Sequence, residues 1–269
     1  ESQKIMNLLQ ELTDTFYQVS IDEAYLSLDI LEHIYGCPLK AAKYIRKYIF
    51  QKTGYTCSIG VAKCAKVAKI ASDFQKPHGV TVVYNSREFL SPLHICKIPG
   101  IGRKTISQYT RRGLHTIGDI AKKSVFYMQE HFGHQSVRFL HLANGTRRWE
   151  IPKYEDEKSL SVERTFTHDC YARKELIPVL QDILEKIGKN SRGLCYKTVS
   201  LKIRYSSFET ITRSFTAKTP ISHAVQFHAI IFDLLTQVEW KKGVRLIGVK
   251  IQNFQSNSFE QTVLCQYTK

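Results

Sequence analysis

The sequence has 269 residues, 43% of them hydrophobic, and its 39 Lys and Arg against 24 Asp and Glu give a formal net charge of +15. This length favours two or three domains, and so basic a chain favours a polyanionic partner, either nucleic acid or an anionic membrane. No apolar run approaches the roughly 18 residues that span a bilayer, and the first residues do not form a signal peptide, so a cytoplasmic protein is expected.

The seven cysteines are odd in number, widely spaced, and never form a Cys-x-x-Cys pair. This spacing argues against a structural zinc site and a disulfide framework, and favours reduced, packed thiols. The chain also opens without Met, directly inside a helical pattern. We therefore expect a segment that precedes it.

Residues 1–85 alternate helical and strand patterns, which predicts a partial α/β domain. A turn is expected where Pro77 and Gly79 occur together. In chain order the predicted elements are a helix at the start, a strand pair around 18–29, a basic helix at 39–51, a strand at 55–61, a helix at 62–74, a turn at 76–79 and a strand at 80–84.

Two adjacent carboxylates, Asp22 and Glu23, lie between apolar strand segments. Because neighbouring side chains of a strand point to opposite faces, both can reach one ion only where the chain bends, as at a hairpin tip. Mg²⁺ prefers carboxylate oxygens, and a two-metal site would activate an attacking hydroxyl and stabilise a leaving group. On the pattern alone, the alternative is a solvated surface turn, which is the more common meaning of such a pair.

The predicted helix 62–74 carries Lys63, Lys66 and Lys69 at spacings of three, beside apolar side chains. A lysine in this stripe would neutralise a triphosphate. The alternative is a solvated helix face.

Residues 86–152 contain short helical patterns separated by glycines and predict a small all-helical domain. Gly100 and Gly102 form a tight turn, which frees backbone N–H groups for an anion at the start of the next helix. With Arg103 and Lys104 beside it, this hairpin between helices would hold phosphates without reading bases. The alternative is an ordinary helix–helix turn. The charged stretch at 153–157 has no apolar period and is predicted to be a linker.

Residues 158–269 predict a β-α-β-β-α-β domain, with two helices on one face of a sheet and the other face free. In its second strand Lys202 and Arg204 alternate with apolar side chains, so they share the polar face. Arg213, in the next strand, alternates with its hydroxyl neighbours and so points to the opposite face from them. It would lie on the polar face only if the strand bends at this position. The strands are predicted at 160–167, 197–205, 209–216 and 244–252, and the helices at about 173–189 and 222–238.

The positive charge increases along the chain. Residues 1–85 carry 10 Lys and Arg against 8 Asp and Glu, residues 86–157 carry 12 against 7, and residues 158–269 carry 17 against 9. The excess lies away from the paired carboxylates, as expected if one region performs metal chemistry and the others hold a polyanion.

Five blocks of this sequence follow one another along the chain, at 19–26, 58–62, 68–73, 76–79 and 98–102. They resemble consecutive signature motifs of the Y-family, lesion-bypass DNA polymerases, in their polymerase IV-like branch. Two further blocks, 158–166 and 244–249, are similar to the strands that open and close the family's little-finger domain. Blocks in this order over almost the whole chain argue against coincidence.

The resemblance implies an α+β, multidomain fold: a partial palm at 1–85, a thumb with a helix-hairpin-helix at 86–152, and a little finger at 158–269. It implies that Asp22 and Glu23 are catalytic carboxylates that hold Mg²⁺, two ions in all, with Mn²⁺ as an alternative. Lys69, a catalytic residue, would contact the incoming nucleotide's phosphates, with Lys66 beside it. The implied DNA-binding residues are Gly100, Gly102, Arg103, Lys104, Arg164, Lys202, Arg204 and Arg213.

The implied activity is template-directed addition of deoxynucleotides to a primer across damaged DNA, in DNA repair and damage tolerance. The implied partners are primer–template DNA and deoxynucleoside triphosphates, with a sliding clamp as a further candidate although no docking peptide is visible. A monomer is expected.

The sequence departs from the family pattern at three places. Cys64 and Ala65 stand where Asn and Lys are usual, and Ser27 stands where Asp is common. The family also has a preceding segment with another metal-binding Asp, the aromatic residue that excludes ribonucleotides, and most of the fingers. None of these features is present in this sequence. The alternative function is therefore a catalytically incompetent DNA-binding fragment, and a metal-dependent nuclease or an RNA-binding protein is a third.

Overall fold

The computed structural model describes residues 1–146, 158–191, 194–221, 224–240 and 242–255. The chain divides into two compact units, Glu1–Tyr154 and Glu155–Lys269. Both combine helices with sheet, so the prediction of an α+β chain is confirmed. The predicted linker at 153–157 lies outside the described residues. None of the helices in the described ranges has the length and apolar character needed to cross a membrane.

The first half of the first unit is built from short strands and helices. Strands β1 and β2 pair antiparallel, and strands β3 and β4 pair parallel. The elements are α1 (Ser2–Gln10), β1 (Phe16–Gln18), β2 (Ala24–Leu26), α2 (Asp29–Tyr35), α3 (Pro38–Thr53), β3 (Ile59–Val61), α4 (Ala65–Ser72) and β4 (Val80–Val82).

Two details of the predicted elements were wrong. The strand pair does not continue to residue 29, because helix α2 begins there. This helix ends before Gly36, whose φ of 76° is the left-handed conformation that commonly ends a helix. The strand predicted at 55–61 is confined to Ile59–Val61.

Gly60 determines how closely β3 lies against α4. A Cβ atom at this position would be 2.0 Å from the carbonyl oxygen of Ala68 and 2.3 Å from the amide nitrogen of Ser72. Only glycine permits two backbone segments to approach so closely. Val67 and Ile70 of α4 are buried in the core, while Lys69 lies on its more accessible side. The glycine therefore fixes the position of α4 and of Lys69.

The rest of the first unit, as far as residue 146, is mainly helical and shares a core with α4. Val67 and Ile70 belong to the same buried cluster as Leu90, Ile117 and Met128. The predicted palm and thumb thus have a common core, and their boundary between residues 85 and 86 remains a prediction. The elements are α5 (Ser86–Leu90), a 3-10 helix (Ile95–Lys97), α6 (Arg103–Thr110), α7 (Ile117–Ala121), α8 (Val125–Phe132), a second 3-10 helix (His134–Ser136) and α9 (Val137–Ala143).

The second unit has the element order β-α-β-β-α-β that the sequence pattern predicts. Its strands form one antiparallel sheet in the order β5-β8-β6-β7. The elements are β5 (Ser159–Cys170), α10 (Arg173–Asn190), β6 (Cys195–Tyr205), β7 (Thr210–Ile221), α11 (Ala224–Thr236) and β8 (Val244–Gln255).

The core of the second unit lies between the sheet and its two helices. Leu180 of α10 and Phe227 of α11 belong to one buried cluster with Val199, Ile203 and Ile247 of the central strands. Because side chains alternate along a strand, the residues between these apolar positions lie on the opposite face of the sheet. We call this second surface the open face.

Candidate functional site

Asp22 and Glu23 lie at the turn that joins β1 to β2. The amides of Val19 and Ser20 donate hydrogen bonds to the carbonyl oxygen of Glu23 at 2.9 and 3.2 Å, which closes the hairpin. The hydroxyl of Ser20 donates to Oδ1 of Asp22 at 2.5 Å. Asp22 is exposed and Glu23 is half-buried. The two carboxylates therefore lie at a chain bend, which is the geometry that allows adjacent residues to reach one ion.

Lys69 joins this turn to helix α4. Its Nζ donates to Oε1 of Glu23 at 2.5 Å and lies 3.1 Å from Oδ2 of Asp73. Burial lowers the pKa of Lys69, but the hydrogen bonds to Glu23 and Asp73 outweigh it and hold that pKa above its usual value. Lys69 is therefore an ammonium ion held between two carboxylates.

Asp73 positions Lys69, and this residue was not predicted from the sequence. Burial raises the pKa of Asp73, but its hydrogen bonds with Lys76 and Lys69 outweigh that and keep the pKa below its usual value. The signal was available in the spacing, because Asp73 is the C-cap residue of α4, four residues after Lys69, and Lys76 follows three residues later.

A cavity of about 900 Å³ opens beside the carboxylate turn. Asp22, Glu23, Lys63 and Lys69 all line it, whereas Lys66 is not among its lining residues in the described part of the chain. The structure therefore brings four of the five predicted charged residues of this region to one surface and places Lys66 outside it.

The donor atoms at the turn suit a divalent cation. Mg²⁺ is commonly held by one or two protein carboxylates, with waters and substrate phosphates as its other ligands. Asp22 and Glu23 supply two carboxylates, and the described residues contain no group of three or more His, Cys, Asp or Glu side chains that could hold a metal alone. These two residues fit a site that the substrate completes.

The predicted hairpin at 98–102 is a tight turn with a defined geometry. The amide of Ile101 donates to the carbonyl oxygen of Ile98 at 3.1 Å, with Pro99 and Gly100 between them. Gly100 has a φ of 95°, as the third position of a type II turn requires. Helix α6 begins directly after Gly102. The element before the turn is a three-residue 3-10 helix rather than an α-helix.

The cations beside this turn face solvent. Arg103 and Lys104 are exposed in the first turn of α6, whereas Ile98 and Ile101 are buried and anchor the turn to the core. The backbone N–H groups at the start of α6 and these two side chains form a positively charged edge.

On the open face of the second unit, Lys202 is bound to a carboxylate. Lys202 lies opposite Gly248 of β8, and Gly248 lies opposite Glu163 of β5. Lys202 Nζ donates to both carboxylate oxygens of Glu163 at 2.8 and 2.9 Å. Lys202 therefore reaches across strand β8 to a residue that was not predicted to belong to this surface.

Two further cations share the open face. Arg204 donates through Nε to the hydroxyl of Thr210 at 3.0 Å. Lys250 of β8 lies opposite Ser161 on one side and Ser200 on the other. Lys250 was not predicted from the sequence, although its alternation with the apolar Val249 and Ile251 places it on the polar side.

Arg164 and Arg213 have the opposite parity and lie on the helix side of the sheet. A terminal nitrogen of Arg164 is 3.4 Å from Oδ2 of Asp182 in α10. Arg213 pairs regularly with the buried Leu201, without the bend that would bring it to the polar face. The structure thus groups Lys202 and Arg204 together and separates them from these two arginines.

Family models match both ends of the chain. Residues 1–73 match the model of the impB/mucB/samB family, and residues 157–264 match the model of the impB/mucB/samB family C-terminal domain. DNA polymerase IV of Methanoculleus marisnigri is 36% identical, covering 99% of this chain and 75% of that protein. DNA polymerase IV of Lactococcus lactis subsp. lactis is 32% identical, covering 94% of this chain and 71% of that protein.

Solved structures agree with these relatives. A Y-family DNA polymerase chimera, Dbh-Dpo4(243-245)-Dbh, superposes with a TM-score of 0.83 at 26% identity, covering 95% of this chain and 76% of the chimera. The insertion ternary complex of Dbh DNA polymerase superposes with a TM-score of 0.61 at 25% identity, covering 95% of this chain and 76% of that chain.

Proposed function

The chain belongs to the Y family of DNA polymerases, in the polymerase IV-like branch, and from this membership we propose how its residues perform translesion DNA synthesis. It is a template-directed DNA polymerase, a nucleotidyltransferase that acts in DNA damage tolerance. The observation that carries this conclusion is a DNA polymerase IV at 36% identity over 99% of the chain. The alternative of a catalytically incompetent DNA-binding fragment is not favoured.

Asp22 and Glu23 are the proposed metal ligands. Y-family membership implies dependence on a divalent metal, and we propose two Mg²⁺ ions, with Mn²⁺ able to replace them. The ions, when bound, would activate the primer 3′-hydroxyl and stabilise the leaving pyrophosphate. The turn supports this assignment because it presents Asp22 to solvent, holds Glu23 beside it, and lines a cavity of about 900 Å³.

Lys69 is the proposed contact to the nucleotide's triphosphate. It is an ammonium group at the cavity wall, held in place by Glu23 and Asp73. A triphosphate in the cavity would compete with these carboxylates for the same donor. Lys66 lies one helical turn before Lys69 but is not among the residues that line the cavity, whereas Lys63 lines it. Lys63 is therefore better placed than Lys66 to assist Lys69 in binding the triphosphate.

Replacing Lys69 by Gln should raise the KM for deoxynucleotides about tenfold or more, because the neutral amide cannot form an ion pair with a phosphate. The affinity for primer–template DNA should change little. Single-nucleotide incorporation measured over a range of nucleotide concentrations separates the two quantities. Lys47→Gln, an exposed lysine of α3, is the matched control. An unchanged KM in Lys69→Gln would remove this residue from the nucleotide site.

The thumb hairpin and the little finger are the proposed DNA-holding surfaces. DNA and nucleotides are the partners of a polymerase, and related structures are ternary and binary complexes of Dbh DNA polymerase. We assign the hairpin at Gly100 and Gly102, with Arg103 and Lys104, to backbone phosphates because it offers N–H groups and exposed cations without a base-reading element. A sliding clamp as partner and a monomeric state remain predictions.

The open face of the second unit would bind phosphates through Lys202 and Arg204. Charge reversal of both residues should lower DNA affinity and reduce the slope of log affinity against log salt by about one unit for each phosphate that is no longer neutralised. Lys186→Glu/Lys189→Glu, on the helix side in α10, applies the same charge change away from this face. A salt titration by fluorescence anisotropy measures both quantities. If the slope of the Lys202→Glu/Arg204→Glu variant equals that of the control, the DNA does not lie on this face.

A further inference from the structure

A carboxylate lies among the cations of the open face. Glu163 and Lys202 belong to strands that are not neighbours, since β8 runs between them. Neighbouring strands are about 4.8 Å apart, so the two side chains meet across about 10 Å of sheet. The two hydrogen bonds, at 2.8 and 2.9 Å, nonetheless join Lys202 Nζ to both oxygens of Glu163.

Gly248 makes this crossing possible. A Cβ atom on Gly248 would lie 2.7 Å from Cγ of Glu163 and 3.3 Å from its Cδ, so the glutamate side chain lies directly over the glycine. The nearest atoms belong to a flexible side chain and not to backbone. A larger residue at position 248 would therefore displace Glu163 rather than break the sheet.

The surroundings of this ion pair suit a phosphate group. The pair borders a depression of about 450 Å³ in the sheet surface. Hydroxyls and ammonium groups donate hydrogen bonds, which is the chemistry that phosphate oxygens accept. The donors are Lys202, Lys250, Ser161, Thr212 and one of the pair Ser200 and Ser214, whose hydroxyls hydrogen-bond each other at 2.8 Å. Glu163 is the carboxylate in this lining. Its two oxygens accept hydrogen bonds from Lys202 Nζ, the same donor that a phosphate would use.

We propose that Glu163 is an internal competitor of the DNA backbone for Lys202. In the free protein, the carboxylate neutralises Lys202 across Gly248. When DNA binds, a backbone phosphate takes the place of the carboxylate, and Glu163 turns away. The inference rests on the proposed DNA-binding role of this face and adds a residue that weakens binding. Because both side chains are about one-third exposed, 32% and 37%, the exchange costs little and is reversible.

The variant Glu163→Gln tests this proposal, since it keeps the shape of the side chain and removes its charge. Primer–template affinity at low salt should rise about three- to tenfold, and the salt slope should steepen by up to about one unit, because Lys202 becomes available to a phosphate. Glu185→Gln is the matched control, because it removes the same charge from an exposed ion pair with Lys189 on α10. Equal affinities and slopes for the two variants would overturn the proposal.

A second variant separates the crossing from a general charge effect. Gly248→Ala should raise affinity in the wild-type background, by displacing Glu163, and should add nothing in the Glu163→Gln background. An equal effect in both backgrounds would contradict the proposed route. If Gly248→Ala fails to fold, Glu163→Gln against Glu185→Gln still decides.

The outcomes also distinguish this inference from the proposed function. If the wild-type protein binds DNA and extends primers, but Glu163→Gln has the same DNA affinity and salt slope as Glu185→Gln, only the competitor role of Glu163 is ruled out. A wild-type protein that does not extend primers would remove the proposed function itself.

Discussion

Replacing Asp22 by Asn, or Glu23 by Gln, should lower the rate of nucleotide incorporation by orders of magnitude while leaving DNA affinity nearly unchanged. Both substitutions keep the size of the side chain and remove the negative charge that a divalent cation requires. Metal ligands act chiefly on the transition state, in which charge develops on the attacking and leaving oxygens. DNA affinity depends instead on phosphate binding elsewhere in the chain.

The two variants should differ in one respect. Glu23 also binds Lys69, so Glu23→Gln weakens an ion pair that Asp22→Asn leaves intact. The KM for deoxynucleotides should therefore change more in Glu23→Gln than in Asp22→Asn. Asp14→Asn, an exposed carboxylate between α1 and β1, is the control for loss of one charge. Incorporation rates within a few-fold of wild type in either variant would show that the residue does not hold metal.

Replacing Gly60 by Ala should destabilise the first unit by about 3 kcal/mol or more. The added methyl group would lie 2.0 Å from the carbonyl oxygen of Ala68, and a backbone atom cannot move aside as a side chain does. Strand β3 and helix α4 would have to separate. Lys69 would then move away from Glu23, so activity should fall together with stability.

The control for this substitution is Gly102→Ala. The space around Gly102 is open and its φ is −89°, so an added methyl group should cost less than about 1 kcal/mol. Hydrogen exchange at the amides of α4 reports the stability of this part of the first unit. Exchange rates in Gly60→Ala that match those in Gly102→Ala would mean that the close approach of β3 to α4 is not needed.

The position of the carboxylates could be predicted from local features of the sequence. Apolar residues on both sides of Asp22 and Glu23 indicated two strands, and adjacent carboxylates suited the bend between them. The hydrogen bond from Lys69 could not be predicted from spacing, because it joins residues 46 positions apart and depends on the packing of β3 against α4. Its proposed role came from the resemblance to Y-family polymerases.

On the C-terminal sheet, alternation along one strand correctly grouped Lys202 with Arg204. The strand order β5-β8-β6-β7 and the pairing register decide which residues of other strands are their neighbours. Neither quantity is encoded in the periodicity of a single strand. Glu163 was missed for this reason, whereas the alternation along β8 was sufficient to place Lys250 on the polar side. The short helix α2 was missed because its seven residues begin where a strand was expected to end.

Primer extension would show directly whether this protein copies a template and passes a damaged base. The protein would be given Mg²⁺, the four deoxynucleotides, and a primer annealed to an undamaged template or to one with a single damaged base. We expect templated extension on both substrates, past the damaged base, and its loss in Asp22→Asn and Glu23→Gln. Binding of DNA without templated addition would show that the protein is not a polymerase. Extension that survives both substitutions would show that Asp22 and Glu23 do not form the active site.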